Sequence, residues 1–184
     1  PTGAVFTKLH DFAVATGYVP LAEFVQPSNG ILYATTSAGG ANSGGVLFSW
    51  NIGTATYTDL VDFDNATGYS PFSRMTVGSN GLLYGTTSAG GPNDAGSIYS
   101  FNTTTNVYAP VYYMNTNGWS DTWGGVIEDP AGTLVCMASA GGAGGQGALF
   151  KYVISTFTAT ELVPFSFSNG ANPTGRLLKA SNGL

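Results

Sequence analysis

The segment ILYATTSAGG at residues 31–40 returns as LLYGTTSAGG at residues 82–91 and, in a weaker form, as TLVCMASAGG at residues 133–142. The same offset of 51 aligns apolar positions along the whole chain: Phe12, Phe63, Met114 and Phe165. One register therefore persists through the 184 residues without a gap, which identifies the chain as a tandem repeat. At this period the chain contains about 3.6 copies.

Short runs of alternating apolar and polar residues fill each copy, and this period of two is typical of half-buried β-strands. In the second copy it predicts four strands, at residues 72–78, 82–88, 96–102 and 107–114. Four short strands in a repeat of about 50 residues are typical of a propeller blade, whereas β-helix repeats are much shorter. We therefore predict an all-β protein, a β-propeller of four-stranded antiparallel blades with a 51-residue repeat.

A single repeat domain is expected over residues 1–184. Its predicted parts are a partial blade at 1–12, blades at approximately 13–63, 64–114 and 115–165, and a partial blade at 166–184. Both ends thus fall inside a blade, whereas propellers usually close with roughly 4 to 8 complete blades. Three interpretations remain open. The sequence is part of a longer polypeptide, which we favour, or a homodimer completes one larger ring, or four blades form a distorted ring.

Charge is scarce in this chain. It has five Lys and Arg and ten Asp and Glu residues, so only 8% of it is charged and the net charge is −5. Nucleic acids and anionic membranes both require clustered Lys and Arg, so neither is expected as a partner. No apolar run approaches the roughly 18 residues of a membrane-spanning helix, and no membrane insertion is expected. The single Cys excludes a disulfide framework and a CxxC metal site.

The second copy carries a series of residues that defines a resemblance: Phe63, Gly68, Pro71, GLLYGTTSAGG at 81–91, and Gly96 to Tyr99. This series resembles the bacterial tandem repeat called GloVer, and its strands are also similar to a kelch blade. The resemblance covers essentially the whole chain, although the third copy has Val135-Cys136-Met137 in place of Tyr-Gly-Thr. It implies a secreted or surface-anchored bacterial protein built from propeller-like repeats, and it implies no reaction.

The long loops of the repeat are predicted to share one face, because a kelch-type blade places its 4→1 and 2→3 loops together. Candidate ligand-binding residues on this loop face are Tyr18, Tyr69, Trp119, Trp123, Asn42, Asn93, Asp94, Asn115 and Asp121. Aromatic rings beside amide and carboxylate groups suit sugars, which present apolar C–H patches and hydroxyl groups together. Packing between blades is the alternative for the two tyrosines, and core packing for Trp123. The two tryptophans depart from the repeat pattern, so they are the stronger candidates.

One position of the innermost predicted strand carries three of the few charged residues, Glu23, Arg74 and Arg176, with Gly125 in the third copy. The innermost strand of a kelch-type blade lines the central channel. We therefore expect these side chains to line the channel mouth and to hold an anionic or polar ligand. An ion pair between Glu23 and Arg74 of adjacent blades is the alternative.

Few residues support catalysis or metal binding. His10 is the only histidine, whereas copper and zinc sites normally draw on several His or Cys ligands, so no metal and no cofactor is expected. The GxSxG motif is absent and no catalytic residue is predicted. A carboxylate pair for glycoside hydrolysis remains open, because separation in space is not visible in a sequence. Asn65 and Asn102 begin N-x-Thr sequons in predicted loops and are candidate glycosylation sites.

Together these observations favour a non-catalytic extracellular or cell-surface module for binding or adhesion, with a glycan or surface polymer as ligand of the loop face. One alternative is a purely structural surface or fibre repeat protein. Another is a carbohydrate-active enzyme whose acids lie partly outside the sequence. Saturable sugar binding would separate the first interpretation from the second, and hydrolysis of a polysaccharide would identify the third.

Overall fold

A computed structural model of the protein describes residues 6–27, 30–114 and 117–180. Within these ranges the chain forms eleven β-strands in three antiparallel sheets and no α-helix, and the sheets do not close into a ring. A single 3-10 turn lies at Val14–Thr16. No helix of the described part is long and apolar enough to cross a membrane. The prediction of an all-β fold with antiparallel sheets is confirmed.

Each sheet is a meander, in which strands that follow one another in the chain are hydrogen-bonded neighbours. The first sheet contains β1 (Ile31–Thr36), β2 (Val46–Asn51) and β3 (Thr56–Asp62). The second contains β4 (Thr76–Val77), β5 (Leu83–Thr87), β6 (Ser97–Asn102) and β7 (Val107–Tyr113). The third contains β8 (Val126–Glu128), β9 (Thr133–Ala138), β10 (Ala148–Val153) and β11 (Thr158–Pro164). Strands β2, β6 and β10 begin 51 residues apart.

The innermost strand of each sheet is the shortest. β4 has two residues and β8 has three, and in the first sheet a single bridge between Val25 and Tyr33 takes this place. The sequence predicts a strand over 72–78, and the structure shortens it to Thr76–Val77. The residues just before Thr76 bend at Ser73 and line a cleft, so they do not continue the ladder to β5.

The second sheet lies between the first and the third. β5 is buried along its whole length, and β6 is buried along all but its last residue, as is β2 of the first sheet. In β9 and β10 buried and half-buried residues alternate, as expected for strands with one well-covered face. One core cluster, which includes Tyr33 and Tyr99, joins the first and second sheets. Another, which includes Tyr84 and Phe150, joins the second and third.

In each sheet a small residue faces a large aromatic one on the neighbouring strand. Ala34 faces Phe48, Gly85 faces Tyr99, and Cys136 faces Phe150. A Cβ at Gly85 would overlap the Tyr99 hydroxyl, so the smallest residue stands where its partner is the largest. The Tyr99 hydroxyl is buried without a hydrogen-bond partner among the described residues. Burial first, and then the neighbouring Tyr108, raise the pKa of Tyr99 well above its ordinary value.

Candidate functional site

A cleft of about 530 Å³ lies where four equivalent segments of the chain meet, and we call it the central cleft. The segments are residues 21–26, 72–77, 123–127 and 174–179. Their first residues are 51 apart, so the repeat itself builds the cleft. The volume lies within the roughly 300–1,000 Å³ that is typical of small-molecule sites.

One end of the central cleft carries an aromatic pair. Trp123 stacks on Phe72 with the ring centroids 4.5 Å apart and the ring planes 4° apart. The two residues occupy the same position of successive copies, a position that Leu21 and Thr174 fill in the others. Trp123 is 42% exposed, so part of its indole surface is open to solvent. The structure therefore places Trp123 on the cleft and not in a closed core.

Two residues further along each segment, the central cleft carries an ionic group. Arg176 Nη1 lies 2.6 Å from Glu23 Oε2, and Arg74 Nη1 lies 3.8 Å from the same oxygen. These three residues share one position of the repeat, and the structure brings their side chains together. The side chains are between 39% and 58% exposed, and ion pairs at such exposure contribute roughly 0–1 kcal/mol to stability. The contribution of these ion pairs to stability is therefore too small to account for the arrangement.

The Arg74 guanidinium retains hydrogen-bonding capacity. Its Nε is buried and has no hydrogen-bond partner in the described part of the chain. Its contact with Glu23, at 3.8 Å, is longer than a hydrogen bond. A guanidinium offers five N–H donors in a planar fork that matches a carboxylate or a pair of hydroxyl groups. The central cleft therefore presents a donor group whose capacity the protein does not use.

The central cleft is cationic within an acidic chain. Of the five Lys and Arg residues in the sequence, three line it: Arg74, Arg176 and Lys179. Among the described residues, Glu23 is the one acid in the lining, out of the ten acids of the sequence. Lys179 Nζ also lies 2.9 Å from Asp129 Oδ1, which stands outside the lining. A concentration of one charge sign in a cleft raises the local concentration of ligands of the opposite sign.

Glu128 fastens the second sheet to the third. Its carboxylate accepts hydrogen bonds from the Ser79 N–H at 2.6 Å, the Ser79 hydroxyl at 2.9 Å and the Gly132 N–H at 2.7 Å. Burial acts to raise the pKa of Glu128, but these hydrogen bonds and the charge of Lys179 outweigh it. The net effect lowers the pKa below its ordinary value of 4.5.

We expect Glu128→Gln to lower the free energy of unfolding at neutral pH, because it removes the charge that these donors stabilise. The folded-state pKa lies below the unfolded one, so the contribution is present above pH 4.5 and is lost as the pH falls through the lowered pKa. Urea unfolding of both proteins from about pH 7 to about pH 3 measures this dependence. The difference in unfolding free energy should shrink in acid, and a constant difference would contradict the role of the charge.

Tyr18 and Tyr69 occupy equivalent points of two loops. Each donates its backbone N–H to the alanine of an SAGG segment, Ala38 and Ala89 respectively, at 2.8 Å. The Tyr69 ring packs against the core between the first and second sheets, whereas Tyr18 is 42% exposed. Packing between sheets therefore describes Tyr69, and Tyr18 keeps ring surface that a ligand could contact.

Two polar residues of the loop face bind groups of their own surroundings. Asn42 Nδ2 donates to the Asp62 carbonyl oxygen at 3.3 Å. Asp121 Oδ2 accepts from the Ser120 hydroxyl at 3.1 Å. Neither Asn42 nor Asp121 lines the central cleft.

The remaining polar candidates surround the loop of the second copy. Asp94 Oδ1 accepts from the Gly90 N–H at 2.9 Å, which stabilises the turn. The charge of Asp94, together with burial and a hydrogen bond between the two side chains, raises the pKa of Tyr69. Asn93 is exposed, and Asn115 lies outside the described residues. Among the described residues, the loop-face candidates other than Trp123 do not line the central cleft.

Trp119 packs into the core, and little of its ring is open to the loop face, where it was expected. It is 2% exposed and stacks on Phe150 with the ring centroids 4.4 Å apart. Its Nε1–H donates to Glu161 Oε2 at 3.2 Å. The ring lines a pocket of about 500 Å³ with Gly142, Ala143 and Glu161, but it offers a sugar little surface there.

An exchange of bulk within the third copy explains the burial of Trp119. The position of Trp119 is Gly17 and Gly68 in the earlier copies, and the position of Ala159 is Tyr57 and Tyr108. Those two tyrosines pack on Phe48 and Tyr99, with ring centroids 5.1 and 5.4 Å apart. Trp119 therefore occupies, from the neighbouring loop, the ring-packing role that Ala159 leaves vacant.

The candidate glycosylation sites differ in exposure. Asn65 is exposed in its loop, whereas Asn102 is half-buried at the end of β6. The Asn102 Oδ1 accepts from the N–H groups of Thr104 at 2.9 Å and Thr105 at 3.1 Å. The Asn102 side chain therefore holds the turn between β6 and β7.

The single histidine and cysteine both have packing roles. His10 stacks on Tyr57 with the ring centroids 4.1 Å apart and the planes 3° apart. Cys136 is fully buried, and burial raises its pKa far above the ordinary value, which leaves it a neutral thiol. Within the described ranges no three His, Cys, Asp or Glu residues are grouped so that they could hold a metal ion.

This architecture defines a class, an all-β repeat protein whose successive antiparallel sheets resemble those of propellers. The chain belongs to the Gloeobacter/Verrucomicrobia repeat family, whose model matches residues 1–184, and this confirms the resemblance to the GloVer repeat. No curated protein matches the chain.

Two solved structures have a similar fold. TolB from Acinetobacter baumannii, which is propeller-like, matches with a TM-score of 0.56 at 15% identity. The match covers 91% of this chain and 37% of that one. A puromycin-hydrolyzing peptidase from Mycobacterium tuberculosis matches with a TM-score of 0.51 at 9% identity, over 76% of this chain and 20% of that one. The chain thus spans about a third of TolB, and at these identities the likeness concerns the fold alone.

Sequence reasoning missed Phe72 and Lys179 as residues of the central cleft. A signal for both was present in the repeat. Phe72 shares its repeat position with Trp123, and Lys179 follows Arg176 on the segment that carries the ionic position. Residues that share a repeat position line one cleft, so the partners of each candidate are candidates too.

Proposed function

We propose that the chain is a non-catalytic module of a β-propeller that binds a glycan at the central cleft. In this proposal the blades are kelch-like, with four strands and a 51-residue repeat. The observation that carries the proposal is the partly exposed Trp123, held flat against Phe72 beside a cleft lined by charged side chains. Secretion to a bacterial surface and a role in adhesion are parts of the same proposal.

The chemistry of the central cleft supports a sugar as ligand. A sugar ring has an apolar C–H face, which packs on an indole ring, and a rim of hydroxyl groups, which need donors and acceptors. Trp123 supplies the apolar ring for the C–H face, while Glu23 supplies acceptors and Arg74 donors for the hydroxyl groups. A mainly preformed concave site with a few convergent polar groups is typical of small-molecule recognition. The Phe72 ring also holds the indole in place, so little conformational freedom is lost on binding.

We expect Trp123→Ala to weaken glycan binding about tenfold or more, because aromatic anchors at binding sites typically contribute more than 1 kcal/mol. Trp123→Phe should retain most of the affinity, since it keeps a ring over Phe72. Isothermal titration calorimetry against a panel of neutral and acidic oligosaccharides measures both variants. Thermal unfolding of each variant shows whether the fold is intact.

Phe157→Ala is the matched control. Phe157 is also an exposed aromatic residue, 75% accessible, but it lies in the turn between β10 and β11 and does not line the central cleft. Its replacement should leave affinity unchanged. Failure of every oligosaccharide to bind saturably would contradict the proposal and favour a purely structural repeat protein. An equal loss of affinity in the Trp123 and Phe157 variants would show that the glycan does not bind at the central cleft.

A further inference from the structure

The distribution of cations in the molecule is uneven. The sequence has a net charge of −5, yet three of its five Lys and Arg residues line the central cleft, where Glu23 is the one acid in the described lining and Asp129, outside it, pairs with Lys179. Two of the cations, Arg74 and Arg176, converge on a single carboxylate oxygen. We propose that the central cleft recognises the carboxylate of an acidic sugar, with Arg74 and Arg176 as the recognising groups. This inference rests on the proposed glycan-binding function and specifies its ligand class.

The geometry of the ionic group leaves room for a second carboxylate. Glu23 Oε2 lies 2.6 Å from Arg176 but 3.8 Å from Arg74, so one guanidinium is closely paired and the other is not. The Nε of Arg74 is buried without a partner in the described part of the chain. The Arg74 side chain as a whole is 39% exposed, so a ligand carboxylate can accept two parallel N–H bonds from its Nη groups, and such bidentate pairs are strong and directional.

Glu23 has two effects on this site. Its carboxylate holds the Arg176 side chain by a hydrogen bond of 2.6 Å, which keeps a long flexible side chain in the central cleft. Its negative charge also repels an anionic ligand and competes for the same guanidinium groups. The protein thus carries its own internal anion at the place where the ligand anion would bind.

The aromatic pair distinguishes an acidic sugar from a simple anion. Trp123 and Phe72 line the same cleft as the arginines, at the preceding part of the four segments. An inorganic anion has no apolar face to pack on the indole ring. A sugar acid presents a ring face to the indole and a carboxylate to the guanidinium. A neutral sugar would use the rings but would offer Arg74 only hydroxyl oxygens, which accept weaker hydrogen bonds than a carboxylate does.

The test compares trigalacturonic acid with its carboxyl-reduced trisaccharide, which differs by the carboxylates alone, by calorimetry. We expect the acid to bind at least roughly tenfold more tightly, given the strength of charge-assisted hydrogen bonds. Arg74→Gln and Arg176→Gln should each remove most of this preference, because they weaken binding of the acid more than binding of the neutral trisaccharide. Glu23→Gln should strengthen binding of the acid several-fold, because it removes the competing charge and keeps an acceptor for Arg176.

Lys151→Gln is the matched control, because it changes the net charge by the same amount on β10, outside the central cleft. It should leave both affinities unchanged. Equal binding of the two trisaccharides, unaffected by the arginine variants, would overturn the inference and leave the proposed function standing. Equal competition by inorganic sulfate would also overturn it, since the site would then recognise charge without the sugar. Failure of both trisaccharides and of the wider panel to bind would overturn the inference together with the proposed function.

Discussion

Trp119→Ala is expected to lower the free energy of unfolding by about 3–5 kcal/mol, the usual cost of truncating a buried tryptophan. The ring is 2% exposed, stacks on Phe150, and donates a hydrogen bond to Glu161, and alanine would remove all three interactions. Ala159 cannot compensate, because it already stands where the other copies have tyrosine. Urea denaturation monitored by circular dichroism measures the loss.

A double variant tests the physical reason. Trp119→Gly combined with Ala159→Tyr rebuilds the arrangement of the second copy, where Gly68 accompanies Tyr108. It should recover a large part of the stability that Trp119→Gly loses alone. If the double variant is no more stable than the single one, the exchange of bulk is not the cause. A Trp119→Ala protein that is as stable as the original would contradict the buried position of the ring.

Gly85→Ala is expected to lower the free energy of unfolding by about 1–3 kcal/mol, as extra volume in a packed core usually does. The added Cβ would overlap the hydroxyl and the ring carbon Cζ of Tyr99, which is fully buried. Combined with Tyr99→Phe, the same change should cost less, because the overlap with the hydroxyl disappears while the overlap with the ring carbon Cζ remains. Denaturation midpoints of the single and double variants measure the difference.

Tyr99→Phe alone serves as the control. It removes a buried hydroxyl without a partner, which favours the folded state by about 1–3 kcal/mol, and it leaves a gap over Gly85, which opposes this gain. We expect a net change within about 1 kcal/mol. A double variant as unstable as Gly85→Ala would show that the ring carbon Cζ, and not the hydroxyl, sets the cost of the added methyl group.

The strand pattern was predictable because hydrophobic alternation reports directly on which face of a strand is covered. The sequence predicted 107–114 for the fourth strand of the second copy, and β7 covers Val107–Tyr113. The innermost strand was predicted too long, at 72–78, because the same alternation continues where the chain lines a cleft. Alternation shows that side chains point to two sides, and it does not show whether a neighbouring strand is present.

The candidate site was predictable where its residues share a single position of the repeat. Glu23, Arg74 and Arg176 share a position, and symmetry of the repeat brings them together. Trp119 was misplaced because its burial depends on a second change, at Ala159, forty residues away. A departure from the repeat has two physical causes, contact with a ligand or compensation for another departure. Comparing whole copies of the repeat, and not one aligned position at a time, separates these two causes.

The central cleft also has a consequence for the order in which the protein assembles. Each sheet pairs strands that are close in the chain, so its contacts close short loops and cost little entropy. The walls of the cleft come from segments spread between residues 21 and 179, and the hydrogen bond from Arg176 to Glu23 spans 153 residues. A single isolated sheet supplies only part of the cleft wall, so it does not form the binding site. A ligand bound in the central cleft would therefore stabilise the state in which the successive repeats have docked.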